Sequence, residues 1–265
     1  MSIADHEAAR LLWAHWQTGT TLDALPPRLR PANRGAGYAV QAQLPVVAGR
    51  SVVGWKIAAT SGVGQAHIGV NGPLAGRLLS GQVDADGATI SLAGNRMQVA
   101  EPEFAFRFGT DLAPSAVPYT VQQVMAAVDT LHHALEVPDS RFADFVNAGE
   151  AQLLADNACA DRFVLGAPAA AGWREVDLRT HPVQARVFDA DGCRTVRGGD
   201  GSAVLGDPRI ALAWLVNELS ALGLTLTAGQ FVTTGTCMVP LEIRPGDSVR
   251  ADYGALGHIA AYFGS

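Results

Sequence analysis

A mixture of helices and strands around one substantial core is the architecture expected of this sequence, on three grounds. Apolar residues recur at helical spacing over residues 3–17 and 120–134, whereas β-branched and aromatic runs such as residues 97–108 have strand character. A chain of 265 residues that is 48% hydrophobic can bury a large interior without disulfide or metal staples. Its 29 glycines and 14 prolines provide turns between many short elements.

From the N-terminus, Ile3, Ala8, Leu11, Leu12 and Trp16 mark a packing helix, with Asp5 and Glu7 near its start where the helix dipole favours acids. Residues 18–34 are turn and connector, and residues 37–44 predict a second short helix. Residues 51–60 predict a strand, with Lys56 between Trp55 and Ile57. That lysine is either a snorkelling surface residue or a cation aimed into a site. Residues 62–87 are glycine-rich, which predicts a loop that borders a pocket or acts as a lid. They lack the later glycine and the Lys-Ser/Thr pair of a phosphate cradle. A short strand at 88–92 and a longer one at 97–108 follow, and then a helix over 120–134 with Val121, Val124, Met125, Val128 and Leu131 as its apolar stripe.

From Glu136 a strand-like segment begins and ends in polar residues, where Asp139 and Arg141 are placed to form a local ion pair. A polar turn at 155–160 feeds a buried strand at 163–166, and residues 183–189 and 193–197 flank an Asp189-Ala190-Asp191-Gly192 turn as a hairpin. Asp207 and Pro208 suit the N-cap and first position of a helix that runs to Gly223. Residues 230–237, 245–251 and 257–263 complete the strands, separated by turns.

A formal net charge of −6 and no basic stripe argue against a nucleic-acid partner. Cys159, Cys193 and Cys237 are odd in number and lack metal-knuckle spacing, which fits reduced thiols in the cytoplasm. Residues 1–7 have neither a basic start nor an apolar signal core, and no window approaches an uncharged membrane span, so a cytoplasmic protein without membrane contact is expected.

The chemistry concentrates in Glu101-Pro102-Glu103. Side chains alternate along a strand, so Glu101 and Glu103 emerge on one face, close enough that they must share a proton, stay solvated or bind a cation. Glu136 is a third acid among apolar residues. Three carboxylates make an all-oxygen site for a hard divalent metal, Mg²⁺ or Mn²⁺. An acid pair on a strand is otherwise a solvated face, but Phe104, Phe106 and Phe108 favour a buried setting. His132 lies four residues before Glu136, and on a helix the two would reach one zinc ion, yet no third nitrogen or sulfur ligand is spaced to join them. Cys159 and Cys237 have no local nucleophile signature, and Ser140 has no nucleophile-elbow context.

The sequence resembles the fumarylacetoacetate hydrolase superfamily, in its branch of 2-keto-4-pentenoate hydratases and 4-oxalocrotonate decarboxylases. The resemblance covers nearly the whole chain. It rests on Gly54-Trp55-Lys56-Ile57 with Thr60-Ser61, on Glu101 to Phe106, on Glu136 to Arg141, on Ala155-Asp156-Asn157-Ala158, and on the ending from Pro245-Gly246-Asp247 to Leu256-Gly257. It implies an α+β fold built on a rolled, twisted mixed β-sheet, with an N-terminal α+β region over 1–82, a catalytic domain over 83–265, and a homo-oligomer. It also implies that Glu101, Glu103 and Glu136 hold the divalent metal and that Lys56 is catalytic, with Asn157 and Thr236 in segments lining the substrate pocket. A lowered pKa is expected for Lys56 beside a cation.

The activity so implied is metal-dependent hydration of a 2-hydroxy-2,4-dienoate in aromatic catabolism, the substrate being a small 2-oxo or 2-hydroxydienoic acid. The alternatives are 2-oxo acid decarboxylation, acylpyruvate C–C hydrolysis and a non-catalytic partner subunit. One departure bears on the choice: hydratases of this branch tend to carry an acid after the proline of the glycine-rich stretch, where this chain has Leu74 after Pro73.

Overall fold

The computed structural model describes residues 2–265. Helices α1 (Ile3–Thr18), α2 (Arg34–Gln41) and α3 (Leu44–Ala48) come first, followed by β1 (Val52–Ala58), α4 (Gly62–His67), β2 (Leu74–Leu79), β3 (Val83–Ala85) and β4 (Thr89–Ser91). The middle of the chain holds β5 (Val99–Phe108), α5 (Val121–Ala127), β6 (Val128–Val137), α6 (Glu150–Ala155) and β7 (Arg162–Pro168). The remainder forms β8 (Pro182–Asp189), β9 (Gly192–Asp200), α7 (Pro208–Ala221), β10 (Phe231–Thr236), β11 (Leu241–Glu242), β12 (Ser248–Asp252) and β13 (His258–Gly264). Local chemistry sets the helix starts. Ser2 and Asp5 close a capping box on α1, and Asp207 caps α7 with Pro208 in its first turn.

The strands form two sheets in an α+β architecture. The larger runs β2-β1-β10-β5-β6-β7-β3, with β11 also paired to β5, and the smaller runs β4-β13-β12-β8-β9. The division expected at residue 82 falls between β2 and β3, strands at opposite ends of the larger sheet. Laid flat, β2 and β7 would stand about 24 Å apart, five strand spacings. Instead Leu78 of β2 and Phe163 of β7 share one apolar cluster with Ala105 and Ala134. The sheet is therefore rolled, as expected, and its concave face is the face from which Glu101, Glu103 and Glu136 project.

The convex face carries Phe104, Phe106 and Leu135 into the main core, against α7 and the smaller sheet. One side chain ties these layers at the level of the acids. Tyr253 is fully buried, with its hydroxyl 2.9 Å from the Glu103 carbonyl and 3.3 Å from that of Ala134, two residues paired across β5 and β6. Its ring packs on His133 at 4.8 Å between centroids.

The structure departs from the sequence-based expectation in three places. The glycine-rich stretch over 62–87 contains α4, β2 and β3, and β2 is buried along its whole length. Gly76 within it serves close packing, since a Cβ there would lie 2.5 Å from the Asn157 carbonyl oxygen. The helix expected over 120–134 stops at Ala127, and Val128 begins β6. The apolar period ran across two elements, and the long antiparallel pairing with β5 outweighs local helical preference. Finally, Asp139 and Arg141 do not pair with each other. Arg141 is buried against Asp156, and Asp139 accepts hydrogen bonds from the backbone N–H groups of Arg96 and Met97 at 3.0 and 3.2 Å.

Among the described residues no helix is long and apolar enough to cross a membrane. His133, 3% exposed, makes the fold acid-sensitive. Burial holds its imidazole down to about 4 from an ordinary value of 6.5. The unfolded chain therefore binds this proton first as pH falls. The stability contributed is complete above about pH 6.5 and is lost toward pH 4. The expected loss is about 2 kcal/mol by pH 5 and about 3 kcal/mol by pH 4. Denaturant unfolding at pH 7.5, 5 and 4 measures it, and a His133→Gln chain should show a shallower decline.

Candidate active site

The antiparallel register of β5 and β6 sets Glu101 directly opposite Glu136 and Glu103 opposite Ala134. The two-residue period then gathers all three carboxylates on the concave face. One oxygen from each lies within 4.8 Å of the others. Glu103 and Glu136 are 0% and 1% exposed, so these charges have lost most of their water.

The Glu103 carboxylate is oriented by β10. Its Oε2 accepts hydrogen bonds from the Thr233 hydroxyl and from the Gly235 N–H at 2.9 Å. The second bond depends on a register shift between Thr233 and Thr236, a bulge that turns the Gly235 N–H toward the acid. Gly235 has φ +104°, and a Cβ there would meet the Thr60 hydroxyl at 2.3 Å, so only glycine fits.

Among the described residues, the cation that pairs with these acids is Lys56 on β1. β1 and β6 are three strand spacings apart, about 14 Å if flat. Curling brings Lys56 Nζ to 2.9 Å from Glu136 Oε1. The ammonium also donates to the Ala158 carbonyl at 2.9 Å. Among the described residues, Glu103 Oε1 and Glu136 Oε2 find no hydrogen-bond donor. Such buried acceptors are costly unless something positive meets them.

Burial, reinforced by the charge of Glu136 and opposed by Lys56, raises Glu101 to about 7. Glu103 is raised well above the usual carboxylate range by burial and by both neighbouring acids. Glu136 is raised by burial against the pull of Lys56. The lowered value expected for Lys56 belongs to a site that holds a cation; the acids alone act the other way. Burial alone would lower it, but the charges of Glu136 and Glu101 hold it above its ordinary value. Three carboxylates and one ammonium leave two negative charges when all are ionised. Converging, partnerless oxygens with that surplus fit a hard divalent cation, which takes oxygen ligands of this kind.

No family model matches the chain. The chain is 32% identical over 270 residues to a 2-keto-4-pentenoate hydratase of Paraburkholderia xenovorans, an alignment covering 98% of this chain and 94% of the relative. It is 33% identical over 216 residues to a 4-oxalocrotonate decarboxylase of Pseudomonas putida, covering 81% and 78%. The chain belongs to the family of 2-keto-4-pentenoate hydratases and 4-oxalocrotonate decarboxylases. Its fold superposes on the 4-oxalocrotonate decarboxylase of Pseudomonas putida G7, solved with magnesium and adipate, with a TM-score of 0.85 at 27% identity over 98% of this chain and 97% of the other.

Against this family background, the remaining residues singled out from the sequence fall into two kinds of place. Asn157 is 1% exposed and both ends of its amide are engaged by the backbone of Arg77, the N–H at 2.7 Å and the carbonyl at 2.8 Å. Thr236 pairs in register with Glu103 and turns its hydroxyl to the Met238 carbonyl at 2.9 Å. His132 sits on strand β6, not on a helix, with its ring nitrogens bonded to Thr130 and to the Gly166 carbonyl. Cys159 is pushed up to about 12 by burial, and Cys237 is likewise raised, so both thiols are inert packing groups.

Sequence reasoning missed Thr233, Gly235 and Ala158. The first two carry a signal in hindsight: a glycine within a threonine-rich strand marks a bulge or close approach. Ala158 contributes only a carbonyl, which no side-chain pattern reveals. Around it, Asn157, Ala158 and Cys159 take φ of 55°, 52° and 60°, a left-handed run costing about 1–2 kcal/mol per residue for residues other than glycine.

Thr233→Val removes the hydroxyl that orients Glu103 with little change in shape. It is expected to weaken divalent-cation binding by about 10- to 100-fold. Titration calorimetry with Mn²⁺ on the folded variant measures the change.

Proposed function

We propose that this chain is a divalent-metal-dependent hydro-lyase that hydrates 2-hydroxy-2,4-dienoates of the 2-keto-4-pentenoate type in aromatic catabolism. The observation that carries the reading is the buried Lys56–Glu136 contact beside Glu101 and Glu103, in a chain that aligns almost end to end with hydratases. In this reading Glu101, Glu103 and Glu136 hold Mg²⁺ or Mn²⁺, and Thr236 borders the pocket. When bound, the cation supplies positive charge that polarises the 2-oxo group of the substrate and offsets the carboxylates that otherwise hold the proton on Lys56.

The reaction is the isomerisation of CH₂=CH–CH=C(OH)–COO⁻ to CH₃–CH=CH–CO–COO⁻, followed by addition of water at C4 with a proton delivered to C3. Both halves move protons between an oxygen and a carbon. In this reading Lys56 Nζ carries them, which its burial and its 2.9 Å contacts with Ala158 and Glu136 support. Glu103, held by Thr233 and Gly235, cannot swing away as charge moves.

A second reading, decarboxylation of a 4-oxalocrotonate-type acid, is favoured by Leu74. At the position where an acid is expected in hydratases, this residue is 1% exposed and packed in the main apolar core, so no carboxylate there activates water. A homo-oligomer residing in the cytoplasm goes with either reading and is supported by the resemblance and by three unbridged cysteines.

Incubating the chelator-treated protein with 2-hydroxypenta-2,4-dienoate should give no change in dienoate absorbance until Mg²⁺ or Mn²⁺ is restored, when 4-hydroxy-2-oxopentanoate accumulates. Release of CO₂ from 4-oxalocrotonate with no hydration would install the second reading, and inactivity on both would point to a partner subunit. Lys56→Met should reduce kcat by about 10²- to 10⁴-fold while Mn²⁺ still binds. Glu103→Gln should lose Mn²⁺ binding and turnover together with the fold intact, as followed by calorimetry and circular dichroism.

A further inference from the structure

Lys56 is held in place by a segment of backbone that is itself in an unfavourable conformation. Asn157, Ala158 and Cys159, none of them glycine, are consecutive left-handed residues with φ of 55°, 52° and 60°. The run turns the Ala158 carbonyl onto Lys56 Nζ at 2.9 Å, the same distance as the contact between Nζ and Glu136 Oε1. Three restraints keep it so. The Asn157 amide clamps both main-chain groups of Arg77 in β2, at 2.7 and 2.8 Å. The Cys159 carbonyl accepts from the Asp139 N–H at 3.0 Å. Gly76, paired in register with Lys56, leaves the gap the turn occupies: a Cβ there would lie 2.5 Å from the Asn157 carbonyl oxygen and 3.0 Å from Lys56 Cγ and Cδ.

We propose that the left-handed turn Asn157–Cys159, seated in the gap at Gly76, is a positioning device that aims the Lys56 ammonium, with Asn157 and Gly76 as positioning residues. The proposal rests on the reading of Lys56 as the proton carrier. An ammonium has three N–H groups. The Ala158 carbonyl takes one of them at 2.9 Å, and Glu136 Oε1 lies 2.9 Å from Nζ as the ion-pair partner. A carbonyl suits this task, because it neither gives nor takes a proton at neutral pH and so fixes the ammonium without competing for the proton transferred. Through the turn, Asn157 acts on the site although both ends of its amide are engaged by the Arg77 backbone.

The test uses the full-length, Mn²⁺-loaded protein and two variants that disturb the turn from opposite sides. Gly76→Ala pushes on the Asn157 carbonyl. Asn157→Asp keeps the acceptor for the Arg77 N–H but sets an oxygen against the Arg77 carbonyl. Either folded variant should lose about a hundredfold in kcat on the dienoate with KM and Mn²⁺ affinity retained, the penalty of an ångström-scale misplacement. Its crystal structure should show Lys56 Nζ out of hydrogen-bond reach of Glu136. A purely architectural turn would lower the unfolding temperature and leave kcat of the folded enzyme alone. Nζ still seated between Ala158 and Glu136 in both variants, or unchanged kcat in both while Lys56→Met is inactive, overturns the proposal. Full turnover by Lys56→Met would remove the proton-carrier reading instead, and the two crystal structures would then decide the positioning claim alone.

Discussion

The convergence of three carboxylates, two of them buried and the third half-buried, is the constraint that the rest of the molecule accommodates. Glu101, Glu103 and Glu136 are raised above their ordinary values mainly because burial strips them of water. A fold that assembles such a group must supply positive charge or oriented dipoles beside it. Here the supply is one ammonium from β1, one N–H and one hydroxyl from β10. Both strands lie on the β5 side of the acid-bearing pair, β10 next to β5 and β1 one strand beyond. The oxygens still without donors, Glu103 Oε1 and Glu136 Oε2, mark where compensation from the chain stops.

Rolling of the larger sheet makes this economical. A flat sheet would keep Lys56 and Glu136 on separate patches of surface, whereas curvature turns residues far apart in strand order into neighbours. The convex side must then be filled to hold the curvature, and Phe104, Phe106, Leu135 and Tyr253 fill it. Tyr253 is central because its hydroxyl meets the main chain at the level of Glu103, so the smaller sheet is tied to the backbone that carries the acids. Arg141 plays a similar part on the other flank. It is buried on Asp156, with its guanidinium 4.1 Å from the Trp16 ring centroid, and links α1 to the segment just before the left-handed turn.

Much of this was legible in the sequence because it rests on short-range periodicity. The spacing of Glu101 and Glu103 places two acids on one face whatever the tertiary structure, and Asp207-Pro208 marks the start of α7 by its own chemistry. The hairpin of β8 and β9 is announced by its turn. Features that depend on distant partners were not legible. The helical period across residues 121–131 conceals the change from α5 to β6, which is decided by pairing with β5. Gly76 looks like loop glycine until the turn that lies against it is known. Lys56 was ambiguous between surface and site, since its burial depends on curvature that one strand does not encode. The rise of its pKa above the ordinary value follows from the acids it meets.

The amide of Asn157 has one more effect. β2 is the outermost strand at its end of the larger sheet, and its unpaired main chain would offer a template for a stray extended segment. The Asn157 amide answers both polar groups of Arg77, as the Tyr38 hydroxyl and Gln41 amide answer those of Ala75, and these side chains stand in for the missing neighbour. Protection against intermolecular strand addition, and so against aggregation, is thus built into the same few atoms that sit beside the chemistry.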